Sequence, residues 1–160
     1  MTVSRPIGVL FVCMGNICRS PMAEAVFRHM AQEAGIAERL RIDSAGTGGW
    51  HAGELPHPRT LAVLHKHGIS ASGQRARQLE ADDFSQFDYI LAMDEENLVG
   101  MARFHPEASA RARLLLAYAP HTSAREVPDP YYNGRFDEVY ELVTAGCHGL
   151  LQHIRERERI

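Results

Sequence analysis

Four short apolar runs, none of which alternates cleanly with polar residues, constrain the fold of this chain most strongly. They cover residues 7–12, 40–44, 89–93 and 113–117. Runs of this kind are typical of strands buried on both faces, as in a parallel sheet. The segments between them have helical periodicity, as at Met22, Val26 and Met30. Because strands that alternate with helices indicate βαβ units, we predict an α/β fold with a mainly parallel sheet.

Proline and glycine mark where the first two helices should begin and end. Ser20 followed by Pro21 has the pattern of an N-cap and a first helical residue. Pro58 begins a second helical segment, which Gly68 should end. The face of that segment predicted to be buried consists of Leu61, Leu64 and His65.

Two further helices are predicted in the second half of the chain. Acidic residues 94–96 favour a helix start before Leu98 and Met101. A last segment, from Phe136 to about Arg157, has apolar residues on one face, followed by alternating charges that we expect to be solvated. That face consists of Val139, Tyr140, Val143, Cys147, Leu150 and Ile154.

Length and composition exclude several classes of protein. A chain of 160 residues is expected to form one domain, residues 1–160. The 17 basic and 20 acidic residues give a net charge of −3, which argues against nucleic acid as the main partner. Residues 7–12 are far shorter than the roughly 20 residues of a membrane-spanning helix, and no signal peptide is evident. We therefore expect no membrane segment and a cytoplasmic location.

The loop after the first predicted strand, residues 13–20, combines the features of an anion site. A short loop that enters a helix directs backbone N–H groups inward and binds anions. Gly15 permits a tight turn, and Asn16 tolerates the left-handed conformation. Arg19 offers a planar set of donors for two oxygens of a tetrahedral oxyanion. The loop is therefore predicted to bind phosphate.

Cys13 begins this loop, where a helix N-terminus and a cation favour the thiolate form of a cysteine. Ser20 is placed to donate a hydrogen bond to that sulfur. A thiolate at the floor of a phosphate site is a nucleophile for phosphorus. The simpler interpretation of Cys13, a buried structural cysteine before a helix, does not explain the other loop residues.

Other motif assignments fail on spacing. The chain has no G-x-x-x-x-G-K-[ST] nucleotide motif, and His51 interrupts the dinucleotide pattern that Gly46 and Gly48 begin. Cys13 and Cys18 have no matching Cys or His pair, so no zinc site is predicted. Three cysteines are also too few for a secreted disulfide framework.

A second loop should supply the proton that a phosphate ester's leaving oxygen needs. Asp129 lies between Pro128 and Pro130, beyond the fourth predicted strand and hence at the same sheet edge as Cys13. Tyr131 and Tyr132 follow it and are suited to packing against a flat substrate ring. We interpret Asp129 as a general acid, although an isolated Asp-Pro is usually only a turn.

Together these motifs resemble the low molecular weight protein tyrosine phosphatases, and the similarity covers nearly the whole chain. The matching segments are residues 12–21, 43–47, 76–78, 93–98 and 129–132, with Trp50. The resemblance implies a single-domain α/β fold in which helices flank a four-stranded parallel sheet. It implies a metal-independent, cofactor-free enzyme with Cys13 as the nucleophile that becomes phosphocysteine. Arg19 would bind the phosphoryl group, and Asp129 would act as acid and then as base.

The resemblance also implies roles for the residues around these three. The residues expected to bind the phosphate ester are Met14, Gly15, Asn16, Ile17, Cys18, Ser20, Trp50 and Tyr131. Ser44 would support the loop, and Cys18 resembles a second cysteine that can form a disulfide with the nucleophile. The expected partners are tyrosine-phosphorylated proteins and a cognate tyrosine kinase, for an enzyme that is a monomer or weak dimer.

Three alternatives remain open, and one residue departs from the family pattern. Arsenate reductases of this fold need a further cysteine pair, but residues 80–90 contain no cysteine. Phosphoarginine phosphatases tend to have threonine where this chain has Ile17. A phospho-anion binding module without catalysis would use the same loop.

Gln74 replaces a histidine found in many relatives, so a hydrogen bond that supports the loop is expected to be rearranged.

Overall fold

A computed structural model of the chain describes residues 5–160, and within them the side chains of all but residues 108 and 109. The strands are β1 (Ile7–Cys13), β2 (Leu40–Gly46), β3 (Tyr89–Ala92) and β4 (Arg113–Leu114). The helices are α1 (Arg19–Glu33), α2 (Pro58–Lys66), α3 (Asp83–Gln86), α4 (Glu95–Phe104), α5 (Pro106–Ser109), α6 (Pro130–Asn133) and α7 (Phe136–Glu158). Two 3₁₀ turns cover Ala37–Arg39 and Leu115–Tyr118.

The four strands form one sheet in the order β2-β1-β3-β4, and every pairing is parallel. Cys13 pairs with Gly46 at the end of β1, and Val12 pairs with Ala92 at the end of β3. The chain passes from one side of β1 to the other between β2 and β3, so the strand order reverses beside β1. A ligand site is expected at such a reversal, beyond the carboxyl ends of the strands.

Alternate side chains of β1 enter two separate cores, which confirms that this strand is buried on both faces. Val9 and Phe11 pack with α1 and α7 on one face of the sheet. Leu10 and Val12 pack on the other face with Phe87 and other residues around α3 and α4. The apolar run without alternation follows directly from this double burial.

The predicted α/β class and four-stranded parallel sheet are confirmed, but β4 is shorter than expected. It ends at Leu114, and Leu115–Tyr118 forms a 3₁₀ turn instead of the last part of a strand. Leu115 and Leu116 are buried there because the turn packs against α7. A Cβ added at Gly149 of α7 would lie 1.8 Å from the carbonyl oxygen of Tyr118, so this packing requires glycine.

The N-terminus of α1 differs from the sequence prediction. The helix begins at Arg19 with Cys18 as its N-cap, and no side chain caps it. Ser20 is therefore a helical residue, and its hydroxyl contacts the loop rather than a backbone N–H group of the helix. Pro21 lies in the first turn, where its missing N–H costs no hydrogen bond.

The other predicted helices are present, with a correction for α2. Thr60, Val63 and Leu64 are its buried residues, whereas His65 is exposed. The side of α2 that faces α1 and α7 is thus rotated from the one predicted. The predicted face of α7 is buried except for Tyr140, which is partly exposed. No helix within residues 5–160 combines the length and apolar character needed to cross a membrane.

Candidate active site

The carboxyl ends of β1 and β3 bring together residues that are far apart in the chain. Cys13 is the last residue of β1, and Arg19 is the first residue of α1. Asp94 follows β3 and caps α4, where its side chain accepts a hydrogen bond from the backbone N–H of Asn97. These elements surround the loop of residues 14–18 at the point where the strand order reverses.

Asn16 determines the shape of this loop. It has a φ of 57°, in the left-handed region that asparagine tolerates better than most residues. Its side-chain amide donates hydrogen bonds to Ser20 Oγ at 2.7 Å and to Ser44 Oγ at 3.0 Å. Its side-chain oxygen accepts a hydrogen bond of 2.9 Å from the backbone N–H of Arg77. Asn16 is only 2% exposed, so every polar group of its side chain is used inside the protein.

Backbone contacts with the end of β2 hold the same loop from the other side. The N–H of Thr47 donates to the carbonyl of Cys13, and the N–H of Gly48 donates to the carbonyl of Met14, both at 2.9 Å. A Cβ at Gly46 would lie 2.8 Å from the carbonyl oxygen of Met14. Glycine at position 46 therefore permits this close approach of two backbones.

The sulfur of Cys13 lies 2.9 Å from the hydroxyl oxygen of Ser20. Because that oxygen already accepts a hydrogen bond from Asn16, the Ser20 hydroxyl proton is free to point at the sulfur. A donor in this position stabilises a thiolate. Cys13 is 3% exposed, and its exposed surface lies on the floor of a cleft.

Behind the loop, a buried carboxylate accepts a hydrogen bond from the serine that Asn16 contacts. Ser44 Oγ donates to Glu24 Oε1 at 2.6 Å. Burial raises the pKa of Glu24 above its ordinary value, and hydrogen bonds from Ser44 and Arg28 offset part of this effect. Hydrogen bonds thus connect Glu24 to Cys13 through Ser44, Asn16 and Ser20.

Gln74 contributes hydrogen bonds to this region. It is buried, and its amide nitrogen donates to the carbonyl of Pro21 at 3.0 Å. Its amide oxygen accepts a hydrogen bond of 3.2 Å from Arg28, whose other nitrogen donates to Glu24 at 2.7 Å. Gln74 therefore supports the first turn of α1, while Arg28 supplies positive charge beside Glu24.

Arg19 is fixed by two acceptors and faces a third. Its Nη1 donates to Asp94 Oδ2 at 2.5 Å and to the carbonyl of Val127 at 3.0 Å. Its Nη2 lies 3.6 Å from Asp129 Oδ2. Burial alone would lower the pKa of Arg19, but the negative charges of Cys13, Asp94 and Asp129 outweigh it and raise that pKa. The guanidinium is therefore charged and oriented toward the cleft.

The segment that contains Asp129 is attached to the sheet through Val127. The backbone N–H of this buried residue donates to the carbonyl of Met93 at 2.9 Å, while its own carbonyl accepts from Arg19. Asp129 then caps the short helix α6 by accepting a hydrogen bond from the N–H of Tyr131 at 3.0 Å. These contacts place the Asp129 carboxylate at the cleft, on the same side as Arg19.

The cleft has a volume of about 450 Å³ and aromatic residues at its mouth. Its residues are Cys13, Met14, Gly15, Ile17, Cys18, Arg19, Trp50, His51, Asp129, Tyr131 and Tyr132. Trp50 and Tyr132 are 69% and 76% exposed, which is unusual for such large side chains. Apolar walls above a charged floor suit an aromatic group that carries an anion.

The other two cysteines differ from Cys13 in their surroundings. Burial raises the pKa of Cys18 to about 12, with the negative charges of Cys13 and Asp129 acting in the same direction. Burial also raises the pKa of Cys147, which lies in the core between α1 and α7 and is fully buried. Both are therefore neutral thiols near pH 7, and all three cysteines are unpaired in this structure.

Most residues predicted from the sequence line the cleft, but some lie behind it. The side chains of Asn16, Ser20 and Ser44 hold the loop and do not line the cleft. Three residues with evident roles were missed, namely Asp94 and Glu24 as partners of the site and His51 in the cleft wall. The sequence places Asp94 at a helix start and in a segment that resembles the family, but neither observation links it to Arg19.

Comparisons with known proteins agree with this geometry. The family model described as low molecular weight phosphotyrosine protein phosphatase matches residues 8–159. The low molecular weight protein-tyrosine-phosphatase YfkJ of Bacillus subtilis is 47% identical over 157 residues, covering 96% of this chain and 99% of the relative. A low molecular weight phosphotyrosine protein phosphatase of Schizosaccharomyces pombe is 52% identical over 157 residues, covering 95% and 99%.

Solved structures give the same result. The crystal structure of YfkJ superposes with a TM-score of 0.94 at 45% identity, covering 96% of this chain and 98% of that one. The structure of a Drosophila arginine phosphatase superposes with a TM-score of 0.83 at 35% identity, covering 92% and 97%. The match of the family model over almost the whole length, together with these relatives, shows that the chain belongs to the low molecular weight phosphotyrosine protein phosphatase family.

Proposed function

We propose that this chain hydrolyses phosphotyrosine in proteins, and aryl phosphate monoesters in general, with Cys13 as nucleophile, Arg19 as phosphoryl-binding residue and Asp129 as general acid and base. The observation that carries this proposal is the convergence of three groups in one cleft. The Cys13 sulfur forms its floor, and the Arg19 guanidinium lies 3.6 Å from the Asp129 carboxylate at its side.

The first half of the reaction transfers the phosphoryl group to sulfur. The Cys13 thiolate attacks phosphorus as the bond from phosphorus to the phenolic oxygen breaks, and Asp129 gives its proton to that oxygen. The loop N–H groups and Arg19 stabilise the charge on the equatorial oxygens. The Ser20 hydroxyl, 2.9 Å from the sulfur, stabilises the thiolate before attack.

The second half restores the enzyme. Asp129, now a carboxylate, takes a proton from a water molecule that attacks phosphorus, and the bond from sulfur to phosphorus breaks. Inorganic phosphate leaves, Cys13 returns to the thiolate, and Asp129 is again protonated. The hydrogen bond from Ser20 then stabilises the departing sulfur, so the same donor serves both steps.

Substitution of Cys13 by serine tests the nucleophile. We expect Cys13→Ser to abolish hydrolysis of p-nitrophenyl phosphate in buffer with EDTA, while the variant still binds inorganic phosphate. Hydrolysis at the wild-type rate by this variant would overturn the mechanism. A wild-type chain that binds phosphate without turnover would instead be the non-catalytic binding module.

Leaving groups of different acidity test Asp129. An acid that protonates the leaving oxygen matters most for poor leaving groups, so we expect the loss of kcat in Asp129→Ala to shrink as the phenol becomes more acidic. An equal loss with every aryl phosphate would remove Asp129 from this role.

Phosphoarginine is the second candidate substrate, because a solved structural relative is titled an arginine phosphatase. Phosphotyrosine is favoured here by the aromatic mouth and by Ile17, an apolar residue in the cleft wall. We expect kcat/KM to be higher for a phosphotyrosine peptide than for the matched phosphoarginine peptide. We also expect Ile17→Thr to narrow that difference.

An arsenate reductase is disfavoured, since Cys147 is fully buried in the core.

Several broader features belong to the same proposal. We propose that residues 1–160 act as one catalytic domain, which the family match over residues 8–159 supports. The proposed partners are tyrosine-phosphorylated proteins and a cognate tyrosine kinase, with the enzyme as a monomer or weak dimer. A cytoplasmic location suits a nucleophilic thiol, which a reducing compartment keeps active.

A further inference from the structure

A second groove continues from the catalytic cleft along α4. Its volume is about 640 Å³, and it shares Met14, Arg19 and Asp129 with the cleft. Its outer walls consist of Thr47, Trp50, Glu96, Val99, Arg103 and Tyr132. We refer to it as the α4 groove. Because Trp50 and Tyr132 border both spaces, the groove lies directly beside the cleft that would hold the aromatic ring of a substrate.

One face of α4 forms the length of this groove. Glu96, Val99, Gly100 and Arg103 have the i, i+3, i+4, i+7 spacing that places them on one side of a helix. Gly100 allows the helix to approach the end of β2, since a Cβ there would lie 3.1 Å from Thr47 Cγ2. Val99 is 50% exposed, so the groove has an apolar middle between two charged residues.

Two charged residues of the groove, Glu96 and Arg103, are available to a ligand. Asp94 binds Arg19, and Glu95 forms an ion pair with Arg125. Glu96 and Arg103 are both exposed, and within the described part of the chain neither side chain has a hydrogen bond or ion pair. The groove therefore presents a free carboxylate near the catalytic cleft and a free guanidinium at its far end.

The separation of these charges matches a short peptide. Glu96 and Arg103 are seven positions apart on the helix, which corresponds to about 10 Å at roughly 1.5 Å per residue. An extended peptide covers that distance in about three residues, at roughly 3.3 Å per residue. A peptide that leaves the cleft along the groove would thus meet Glu96 first and Arg103 about three residues later.

We propose that the α4 groove binds the substrate segment next to the phosphotyrosine and selects a basic residue near it, through Glu96, and an acidic residue about three positions further away, through Arg103. This inference rests on the proposed phosphotyrosine phosphatase activity. It assigns sequence preference to α4, a helix outside the phosphate-binding loop and the Asp129 segment.

Charge-swapped peptides test this inference. In one alanine-based phosphotyrosine peptide, lysine stands one residue and glutamate four residues from the phosphotyrosine, and in its matched peptide the two charges are exchanged. One such pair has the charged residues on the N-terminal side of the phosphotyrosine, and a second pair has them on the C-terminal side. An exposed ion pair contributes up to about 1 kcal/mol. For one of the two pairs, we therefore expect the wild-type kcat/KM to be about two- to fivefold higher for the peptide with lysine next to the phosphotyrosine. The preference should fade at about 1 M salt, where charges are screened.

Charge-reversal variants locate the preference. The preference is measured as the ratio of kcat/KM between the two matched peptides. We expect Glu96→Lys to remove or reverse this preference, and Arg103→Glu to reduce it. Glu141→Lys is the matched control, because Glu141 is an exposed glutamate on α7, and we expect it to leave the ratio unchanged. Because both peptides are compared within the same variant, a general change in its activity does not affect the ratio of kcat/KM.

The outcomes separate this inference from the proposed function. If the wild type hydrolyses both phosphotyrosine peptides and p-nitrophenyl phosphate but shows no charge preference on either side, the groove does not select substrates. The same conclusion follows if Glu96→Lys and Glu141→Lys change the ratio equally. If the wild type hydrolyses neither peptide nor p-nitrophenyl phosphate, the proposed function itself fails.

Discussion

Nη1 of Arg19 lies 2.5 Å from Oδ2 of Asp94, although 75 positions separate the two residues in the chain. Parallel pairing of β1 with β3 produces this contact, since Arg19 begins the helix after β1 and Asp94 follows β3. Arg19 is 2% exposed, so the carboxylate both compensates a buried charge and orients the guanidinium. The second nitrogen of Arg19 is left to face Asp129 and the cleft.

Removing the charge of Asp94 should impair catalysis without touching the loop. In Asp94→Asn the Arg19 guanidinium loses its nearest charged partner, and a small misplacement of this proposed phosphoryl-binding group would cost up to about 100-fold in rate. We expect kcat/KM for p-nitrophenyl phosphate to fall by about 10- to 100-fold and inhibition by vanadate to weaken. Asp137→Asn, which removes an exposed carboxylate paired with Lys66, should leave both unchanged. Wild-type kinetics in Asp94→Asn would show that Arg19 needs no such partner.

Two substitutions of Asn16 separate its hydrogen bonds from its backbone conformation. Both Asn16→Gly and Asn16→Ala lose the side-chain contacts with Ser20, Ser44 and Arg77, which should lower the free energy of unfolding by about 2 to 4 kcal/mol. Asn16→Ala should cost about 1 kcal/mol more, because alanine resists the left-handed conformation. Urea denaturation measures both values. Equal stability of the two variants would mean that the backbone conformation relaxes.

Glu24 should make stability depend on pH. Burial raises its pKa in the folded chain above the ordinary value of 4.5, so ionisation costs more free energy in the folded state than in the unfolded state. Its contribution to the free energy of unfolding therefore decreases as the pH rises from about 4.5 through the raised value. Glu24→Gln removes this term. We expect the wild-type free energy of unfolding, minus that of the variant, to decrease across this window and then level off. A difference that rises with pH would contradict the assignment.

Two glycines of α7 should respond differently to alanine. At Gly149 a Cβ would lie 1.8 Å from the backbone oxygen of Tyr118, so Gly149→Ala must displace the 3₁₀ turn from the helix. At Gly146 the nearest atom, at 2.6 Å, is Cγ of the buried Leu115 side chain, and a side chain shifts more readily than a backbone carbonyl. We expect Gly149→Ala to lower the free energy of unfolding by about 2 to 3 kcal/mol, and Gly146→Ala by less. The reverse order in thermal denaturation would contradict this packing.

The position of the loop between a strand and a helix was predictable because its residues lie in one short segment of the chain. Cys13, Gly15, Asn16 and Arg19 fall between a predicted strand and a predicted helix, and the connection alone brings them together. The sheet was predictable for a similar reason, since double burial leaves runs without alternation. The family and its phosphatase function, which the notable spacing of these motifs indicated, are confirmed by the comparisons.

What could not be predicted depends on contacts between distant segments. Ser20 has the sequence signature of an N-cap, but its hydroxyl contacts Cys13, and the helix begins at Arg19, two residues earlier than predicted. The apolar run after Arg113 has strand composition, yet packing against α7 turns it into a 3₁₀ turn. The hydrogen bond from Ser44 to Glu24 depends on how α1 packs against β2, which no local pattern encodes.

The attachment of residue 127 to the sheet uses only main-chain atoms. Its N–H binds Met93 and its carbonyl binds Arg19, while the valine side chain is buried in the core. The alignment of Asp129, the proposed proton donor, with Arg19, the proposed phosphoryl-binding residue, is therefore independent of which side chain residue 127 carries. Another apolar residue at position 127 would change the packing beneath the segment. The position of Asp129 relative to Arg19 would be kept, because the two main-chain hydrogen bonds remain. Proline is the exception, because it has no N–H to bind Met93.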